Sequence, residues 1–151
     1  MTDRAHFLVA LTLSVAGSVA AQPATNTAAS GLKPGLWEIA TVVERSDTPT
    51  RKTITSRLCY SPEDVASPSR VLPPQRGLGV RCLASEVKAG GDTGIAWKLT
   101  CKGKEGTMNG TGKMKPGPTA YSADIGLEGK VGGKLLKIDE KTSGRWQGEC
   151  Q

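Results

Sequence analysis

Four cysteines are the residues of this sequence whose chemistry is easiest to name. Cys59, Cys82, Cys101 and Cys150 form an even set, spaced 23, 19 and 49 residues apart, without the close Cys-x-x-Cys pair typical of zinc sites. Two disulfides are therefore expected, and no metal or other cofactor. Simple alternation of strand direction places the first three at one end of a sheet, so we favour Cys59 with Cys82 and Cys101 with Cys150. The main alternative pairs Cys82 with Cys101 across a hairpin and Cys59 with Cys150.

Residues for acid–base or nucleophilic catalysis are few. The only histidine, His6, lies in an N-terminal segment that is expected to be removed, which excludes histidine-based triads, Cys-His pairs and histidine metal sites from the mature chain. Adjacent acids occur at Glu63-Asp64 and Asp139-Glu140, but the first pair suits a helix start and neighbours on a strand point to opposite faces. No catalytic residue is predicted.

Aromatic and methionine side chains are the remaining candidates for a site. They are expected either to fill the core or to line a cavity for an apolar ligand. Two methionines six residues apart do not form a soft metal-ligand cluster, which favours core packing for them. The candidate ligand-lining or core residues are Trp37, Trp97, Met108, Met114, Tyr121 and Trp146.

The N-terminus has the pattern of a secretory signal. Arg4 precedes an apolar run over residues 7–15, and small residues lead to an expected cleavage after Ala21. The run is too short to anchor the chain in a membrane, no later segment is apolar enough to cross one, and no cysteine near the cleavage point predicts a lipoprotein. A periplasmic or secreted protein is expected, with residues 1–21 as signal peptide, 22–33 as a disordered tether and 34–151 as a single β-domain.

The segment from Gly94 to Lys102 shows the alternation expected of a strand with one buried face, with Ile95, Trp97 and Leu99 on the same side. Similar segments recur at intervals of about a dozen residues, which favours an antiparallel meander. Ser61-Pro62-Glu63-Asp64 predicts the start of a short helix. The predicted strands are 36–44, 52–60, 80–88, 94–102, 107–115, 119–128 and 134–141, followed by a turn at Ser143-Gly144 and a short closing segment at 145–150.

Glycines at Gly110 and Gly112 fall on the expected inner face of one strand, where they leave space or let the sheet bend sharply. The fold class predicted is all-β: an up-and-down antiparallel meander of about seven to eight strands, strongly curved or barrel-like, with one short helix between strands 2 and 3 and two disulfides. Within it, Trp97 is expected in the core beside Trp37.

Charge adds one alternative. The net charge is +6, so electrostatic attachment to an anionic membrane or polysaccharide is one hypothesis. The lysines are spread singly, as on a solvated sheet surface. Exposed aromatics do not alternate with them, so nucleic-acid binding is not expected.

Several short motifs occur in a set order: Lys33-Pro34-Gly35-Leu36-Trp37-Glu38, Leu58-Cys59 with Ser61-Pro62-Glu63-Asp64, Trp97-Lys98-Leu99-Thr100-Cys101, Gly110-Thr111-Gly112, and Gly144-Arg145-Trp146 with Gly148-Glu149-Cys150. Their order and spacing resemble the bacterial envelope proteins grouped as domain-of-unknown-function family 3617, over essentially the whole chain from Lys33. The resemblance implies export from a bacterial cell and an all-β domain with paired cysteines. It offers no catalytic residue. Family members often have Met-rich stretches in later strands, and only Met108 and Met114 match that feature here.

The preferred functional hypothesis is an exported, non-enzymatic β-domain that binds an apolar small molecule or an envelope partner. A glycine-bearing strand beside aromatic faces, without a catalytic set, motivates it. The alternatives are a cell-wall-directed enzyme that uses carboxylates or lysines alone, and electrostatic attachment.

Overall fold

The computed structural model describes residues 29–75, 81–90 and 94–151. It confirms an all-β antiparallel meander of seven strands with one short helix between the second and third strands and two disulfides. The elements are β1 (Gly35–Arg45), β2 (Thr48–Tyr60), α1 (Pro62–Val65), a 3-10 turn at Pro68–Arg70, β3 (Arg81–Gly90), β4 (Gly94–Gly103), β5 (Gly106–Lys115), β6 (Ala120–Val131) and β7 (Lys134–Gly148). The predicted signal peptide, residues 1–21, and most of the predicted tether lie outside the described residues.

The strands form one sheet in the order β2-β1-β7-β6-β5-β4-β3, in which β7 pairs with both β6 and β1. This is the order of an up-and-down barrel opened between β2 and β3, which form the two edges. The sheet is not closed and curls only weakly. The strong, barrel-like curvature expected from the glycines is therefore not present. At Gly112 the indole of Trp97 occupies the position of a Cβ, so this glycine accommodates a ring and not a sharp bend.

Strand direction explains why the favoured disulfide pairing was wrong. Seven strands with six antiparallel neighbour pairs leave β2 and β3 running in the same direction, so Cys59 and Cys82 lie at opposite ends of the sheet. Cys59 pairs with Cys150, and Cys82 pairs with Cys101 directly across the β3–β4 hairpin. The end of β2 and the start of β3 lie at opposite ends of the sheet, whereas simple alternation of strand direction assumed that they lie at the same end.

One face of the sheet, the inner face, carries the core. On β4 and β6, for example, Trp97 and Ile125 are each 2% exposed, whereas the residues beside them in sequence are exposed. Residues before β1 and after β2 complete this core, including the buried Leu32 and Val71. Leu32 belongs to the predicted tether, so residues 29–33 are part of the packed domain.

The short helix forms as the sequence predicts. The Ser61 hydroxyl accepts a hydrogen bond from the Asp64 backbone N–H, while the Asp64 carboxylate accepts one from the Ser61 backbone N–H. This capping box satisfies donors that a helix start otherwise leaves unpaired. The carbonyl of Val65 then accepts a hydrogen bond from the Ser30 backbone N–H at 3.1 Å, which ties the helix to the segment before β1.

The turn predicted at Ser143-Gly144 is wrong, because β7 continues through it to Gly148. Gly144 lies opposite Tyr121 of β6 and Ile39 of β1. A Cβ at Gly144 would overlap the Tyr121 ring, so the glycine makes room for an aromatic side chain within a continuous strand. The predicted eighth segment is the end of β7.

Candidate functional site

The inner face contains polar atoms that have no partner. Among the described residues, Nε1 of Trp97 and both carboxylate oxygens of Glu140 are buried without a hydrogen bond. The buried hydroxyls of Tyr60 and Tyr121 have no other partner but interact with each other. Buried polar groups are almost always hydrogen-bonded, so each exception needs an explanation. We take these atoms as the candidate functional site.

Glu140 is the most unusual of these residues. It lies on β7 directly between Val43 of β1 and Ile125 of β6, and it is 1% exposed. Its neighbours on the same face of β7 are Ile138 and Thr142. Burial raises the pKa of the Glu140 carboxyl to about 7, because an apolar surrounding disfavours the charged form.

Among the described residues, no cation neutralises Glu140. The inner-face alternation of β1 and β2 brings two cations into its vicinity, Arg45 and Lys52. Arg45 Nε and Nη2 donate to the two carboxylate oxygens of Asp47 at 2.9 and 2.8 Å, and Lys52 is exposed. Glu140 thus has neither a hydrogen bond nor a counter-ion in the described part of the chain.

Trp97 lies in the same cross-strand row as Glu140. The row runs from Trp97 of β4 through Gly112 of β5 and Ile125 of β6 to Glu140 of β7. A Cβ at Gly112 would overlap the indole of Trp97, so the ring lies over the glycine and leans along the row. An unpaired indole donor and an unpaired carboxyl acceptor therefore share one line across the inner face.

A second polar group lies nearer the Cys59 end of the sheet. The Trp37 ring is 5.5 Å from the Tyr121 ring and 6.4 Å from the Tyr60 ring, measured between centroids. Burial raises the pKa of both tyrosine hydroxyls. The aromatic neighbours of Trp37 are thus these tyrosines and not Trp97, because β7, β6 and β5 lie between β1 and β4.

Two other buried polar side chains of this face are hydrogen-bonded to each other. The hydroxyls of Thr41 and Thr142, which face each other across β1 and β7, share a hydrogen bond of 3.0 Å. Both residues are 4% exposed. Their pairing contrasts with Glu140, which lies two residues along β7 from Thr142 and has no partner.

The remaining predicted residues divide between core and edge. Met108 and Met114 are buried on the inner face of β5. Trp146 is only half-buried; its Nε1 donates to the Pro34 carbonyl at 3.0 Å, and the Lys33 ammonium lies 3.8 Å from its ring centroid. Trp97, Met114 and Glu140 therefore lie within neighbouring rows of the inner face, whereas Trp146 belongs to the end where β1 begins.

Sequence reasoning considered Glu140 only as one of two adjacent acids. As expected, the two point to opposite faces: Asp139 is exposed and Glu140 is buried. The signal for its burial was present in β7, because Leu136, Ile138 and Glu140 have the same alternation. The predicted strand ended at Lys141, and the buried positions Thr142 and Gly144, which continue the same face, were left outside it.

The opposite, outer face carries a shallow hollow of about 200 Å³. Its floor is Gly126, where an added Cβ would meet only Asp139 Oδ1, at 3.7 Å. Asp124, which lies directly opposite Lys113 and Lys141 on its neighbouring strands, is part of the rim. Asp124 and Asp139 of this hollow are exposed to water, whereas Glu140, which also contributes to its lining, is buried.

Neither a metal cluster nor a membrane-spanning helix occurs in the described residues. Within the ranges 29–75, 81–90 and 94–151, no three His, Cys, Asp or Glu side chains converge in a way that could hold a metal ion. The helical segments in those ranges are all too short and polar to span a lipid bilayer.

Comparison with protein families identifies the class of this domain. The family model described as protein of unknown function (DUF3617) matches residues 32–150, and the chain belongs to that family. Comparison with curated proteins and with solved structures gave no match. The match confirms the resemblance seen in the sequence motifs.

Proposed function

We propose that this protein is an exported, non-enzymatic domain that binds an apolar small molecule on the inner face of its sheet, around Glu140 and Trp97. One observation carries the proposal: the Glu140 carboxyl, which has no partner among the described residues, is buried in the middle of a largely apolar face. Burial of such a group without a partner destabilises a fold by several kcal/mol. A bound ligand that bonds to the carboxyl gives the residue a function that packing alone does not.

The open edges of the sheet offer a route to this face. β2 and β3 are the two edge strands. Their inner-facing apolar side chains are only partly buried, among them Ile54 and Leu58 on β2 and Val87 on β3. Met114 lies one row from Glu140, and methionine adapts its shape easily because its side chain is unbranched and flexible. These features support entry of an apolar molecule between the two edges.

Export is part of the proposal. The disulfides Cys59–Cys150 and Cys82–Cys101 suit an oxidising compartment, and the N-terminal pattern ending at Ala21 supports cleavage of a signal peptide. Together they favour the bacterial envelope or the extracellular medium as the place where the ligand is met.

The test is direct capture of the ligand. Protein purified from its own host should carry a small molecule in native mass spectrometry, and the empty protein should bind the neutral apolar dye N-phenyl-1-naphthylamine with saturation. Glu140→Leu changes the inner face and should alter dye binding. Gly126→Leu fills the outer hollow and should leave dye binding unchanged. The proposal is contradicted if protein purified from its host carries no small molecule and also fails to bind the dye. It is also contradicted if Gly126→Leu abolishes dye binding.

The enzyme alternative would use acids of the outer face, such as Asp124 and Asp139 in the outer hollow. Both carboxylates are open to water, whereas catalytic carboxylates are usually found where burial or a charged neighbour perturbs them. Their exposure favours a solvated surface, so we do not propose this function.

A further inference from the structure

We infer that the ligand is an apolar amine whose ammonium group forms an ion pair with the Glu140 carboxylate. This inference rests on the proposed function, since it names the class of molecule that the inner face receives. It depends on the geometry of the row from Trp97 to Glu140 and on the charges around it.

The first step concerns the unused hydrogen-bonding capacity of the Glu140 carboxyl. Both oxygens of Glu140 are buried and accept no hydrogen bond. A protonated amine has up to three donors and one positive charge, so it satisfies both oxygens and neutralises the carboxylate. Removal of this pair from water strengthens the interaction between the charges.

The second step concerns the groups that face Glu140 from the adjacent strands. On β6 these are Ile125 and its neighbours on the same face, Ala123 and Leu127, none of which is charged. On β1 they are Val43 and Thr41, and the Thr41 hydroxyl is already bonded to Thr142.

The two described cations on the inner-face positions of β1 and β2 are also unsuited to the role. Arg45 is held by Asp47, and Lys52 lies exposed on the edge strand β2. The described residues therefore provide an anion at this position without a counter-ion, and a ligand can supply the positive charge.

The third step separates the amine from other amphiphiles. A fatty acid would place a second carboxylate beside Glu140, and like charges in a buried site repel each other. A long-chain alcohol could donate one hydrogen bond but would leave the negative charge unpaired. Among molecules with the same alkyl chain, the amine is expected to bind most tightly.

The pH dependence follows from the same pair. The pKa of Glu140 is about 7, and an alkylammonium stays protonated well above that value, as a lysine does. As pH rises from 5 to 8, the carboxylate fraction increases while the ligand keeps its charge. The affinity for the amine should therefore increase by about tenfold or more over this range, and the affinity for the alcohol should not.

The experiment compares decylamine, decanol and decanoate, each below its aggregation concentration, by isothermal titration calorimetry at pH 8 and pH 5. The proteins are the wild type, Glu140→Gln and Asp139→Asn. Asp139 is the matched control because it is the adjacent acid on the opposite face. At pH 8 we expect decylamine to bind the wild type and Asp139→Asn about tenfold or more tightly than decanol, and we expect this preference to disappear in Glu140→Gln.

The outcomes separate the two proposals. If none of the three compounds binds the wild type, the proposed function fails together with this inference. If all three compounds bind with the same affinity, or if decanol or decanoate binds best, the proposal of an apolar binding site stands and the assignment of the ligand as an amine is wrong. An amine preference that persists in a folded Glu140→Gln also contradicts the inference. Should Glu140→Gln not fold, the pH profile of the wild type decides, because it needs no variant.

Discussion

Glu140 is the residue at which stability and the proposed function conflict most directly. It is 1% exposed on an apolar face, and no described residue donates a hydrogen bond to either oxygen. Thr142 beside it shows how the same face accommodates polar groups, since its hydroxyl is paired with that of Thr41. The contrast indicates that an unpaired carboxyl is not a general property of this core but a feature of one position.

The stability of the protein should decrease as pH rises through the range set by Glu140. The folded pKa of about 7 lies above the ordinary value of 4.5, so the folded state binds more protons than the unfolded chain between these pH values. The contribution of this group is full below pH 4.5 and is lost by about pH 8. The free energy of unfolding should fall by up to about 3 kcal/mol over that range, measured by urea denaturation.

Glu140→Met is the variant that isolates this effect. Methionine has a similar shape and no charge, so the variant should be more stable than the wild type at pH 8 and should lose most of the decrease between pH 4.5 and pH 8. The lowered pKa values of Asp47 and Asp64 have the opposite sign and act below this range. A wild-type stability that rises or stays constant from pH 5 to pH 8 would show that Glu140 is not buried as a neutral acid.

At the scale of elements, glycines in the strands have two different roles. Gly144 of β7 and Gly112 of β5 lie under the rings of Tyr121 and Trp97. Gly126 of β6 lies on the outer face, where an added Cβ has room. The backbone at these positions does not have a positive φ, so the difference between them is one of packing.

Alanine at these positions should therefore have effects of opposite sign. Gly144→Ala should destabilise the protein by about 2 kcal/mol or more, because the methyl group would displace the Tyr121 ring from the core. Gly126→Ala should be neutral or stabilising by roughly 0.5–1 kcal/mol, because alanine restricts the unfolded chain and meets no obstacle. Denaturant unfolding of the two variants tests this, and equal effects would contradict the packing described for Tyr121.

On the scale of the whole molecule, the two disulfides constrain very different lengths of chain. Cys59–Cys150 joins the end of β2 to the C-terminus over a separation of 91 residues, while Cys82–Cys101 joins β3 to β4 over 19. The first links the edge strand β2 to the segment after β7, on the other side of β1, and the second strengthens one hairpin at the edge.

Removal of the long-range disulfide should cost more stability. The chain-entropy relation gives about 4.6 kcal/mol for Cys59–Cys150 and about 3.2 kcal/mol for Cys82–Cys101. The measurement is the unfolding free energy of the double variants Cys59→Ala/Cys150→Ala and Cys82→Ala/Cys101→Ala. Peptide mapping without reduction checks the pairing itself, and a peptide that joins Cys59 to Cys82 would refute the order of strands in the sheet.

Much of the fold could be predicted because it is encoded locally. The alternation around Trp97 identified β4, and Ser61 with Asp64 identified the start of α1. The turn at Gly144 could not be judged in this way, since a glycine that ends a strand and one that accommodates a ring look alike in sequence. Only the position of Tyr121 on the neighbouring strand separates the two cases.

The sequence by itself determined the all-β class, the strands, the short helix and the even set of cysteines, because each depends on residue types and spacings within a few positions. The tertiary structure decided three things: the open strand order, the pairing of Cys59 with Cys150, and the burial of Glu140 between Val43 and Ile125. These depend on which distant strands become neighbours. The free energy that selects those neighbours is summed over the whole inner face and is not present in any one segment.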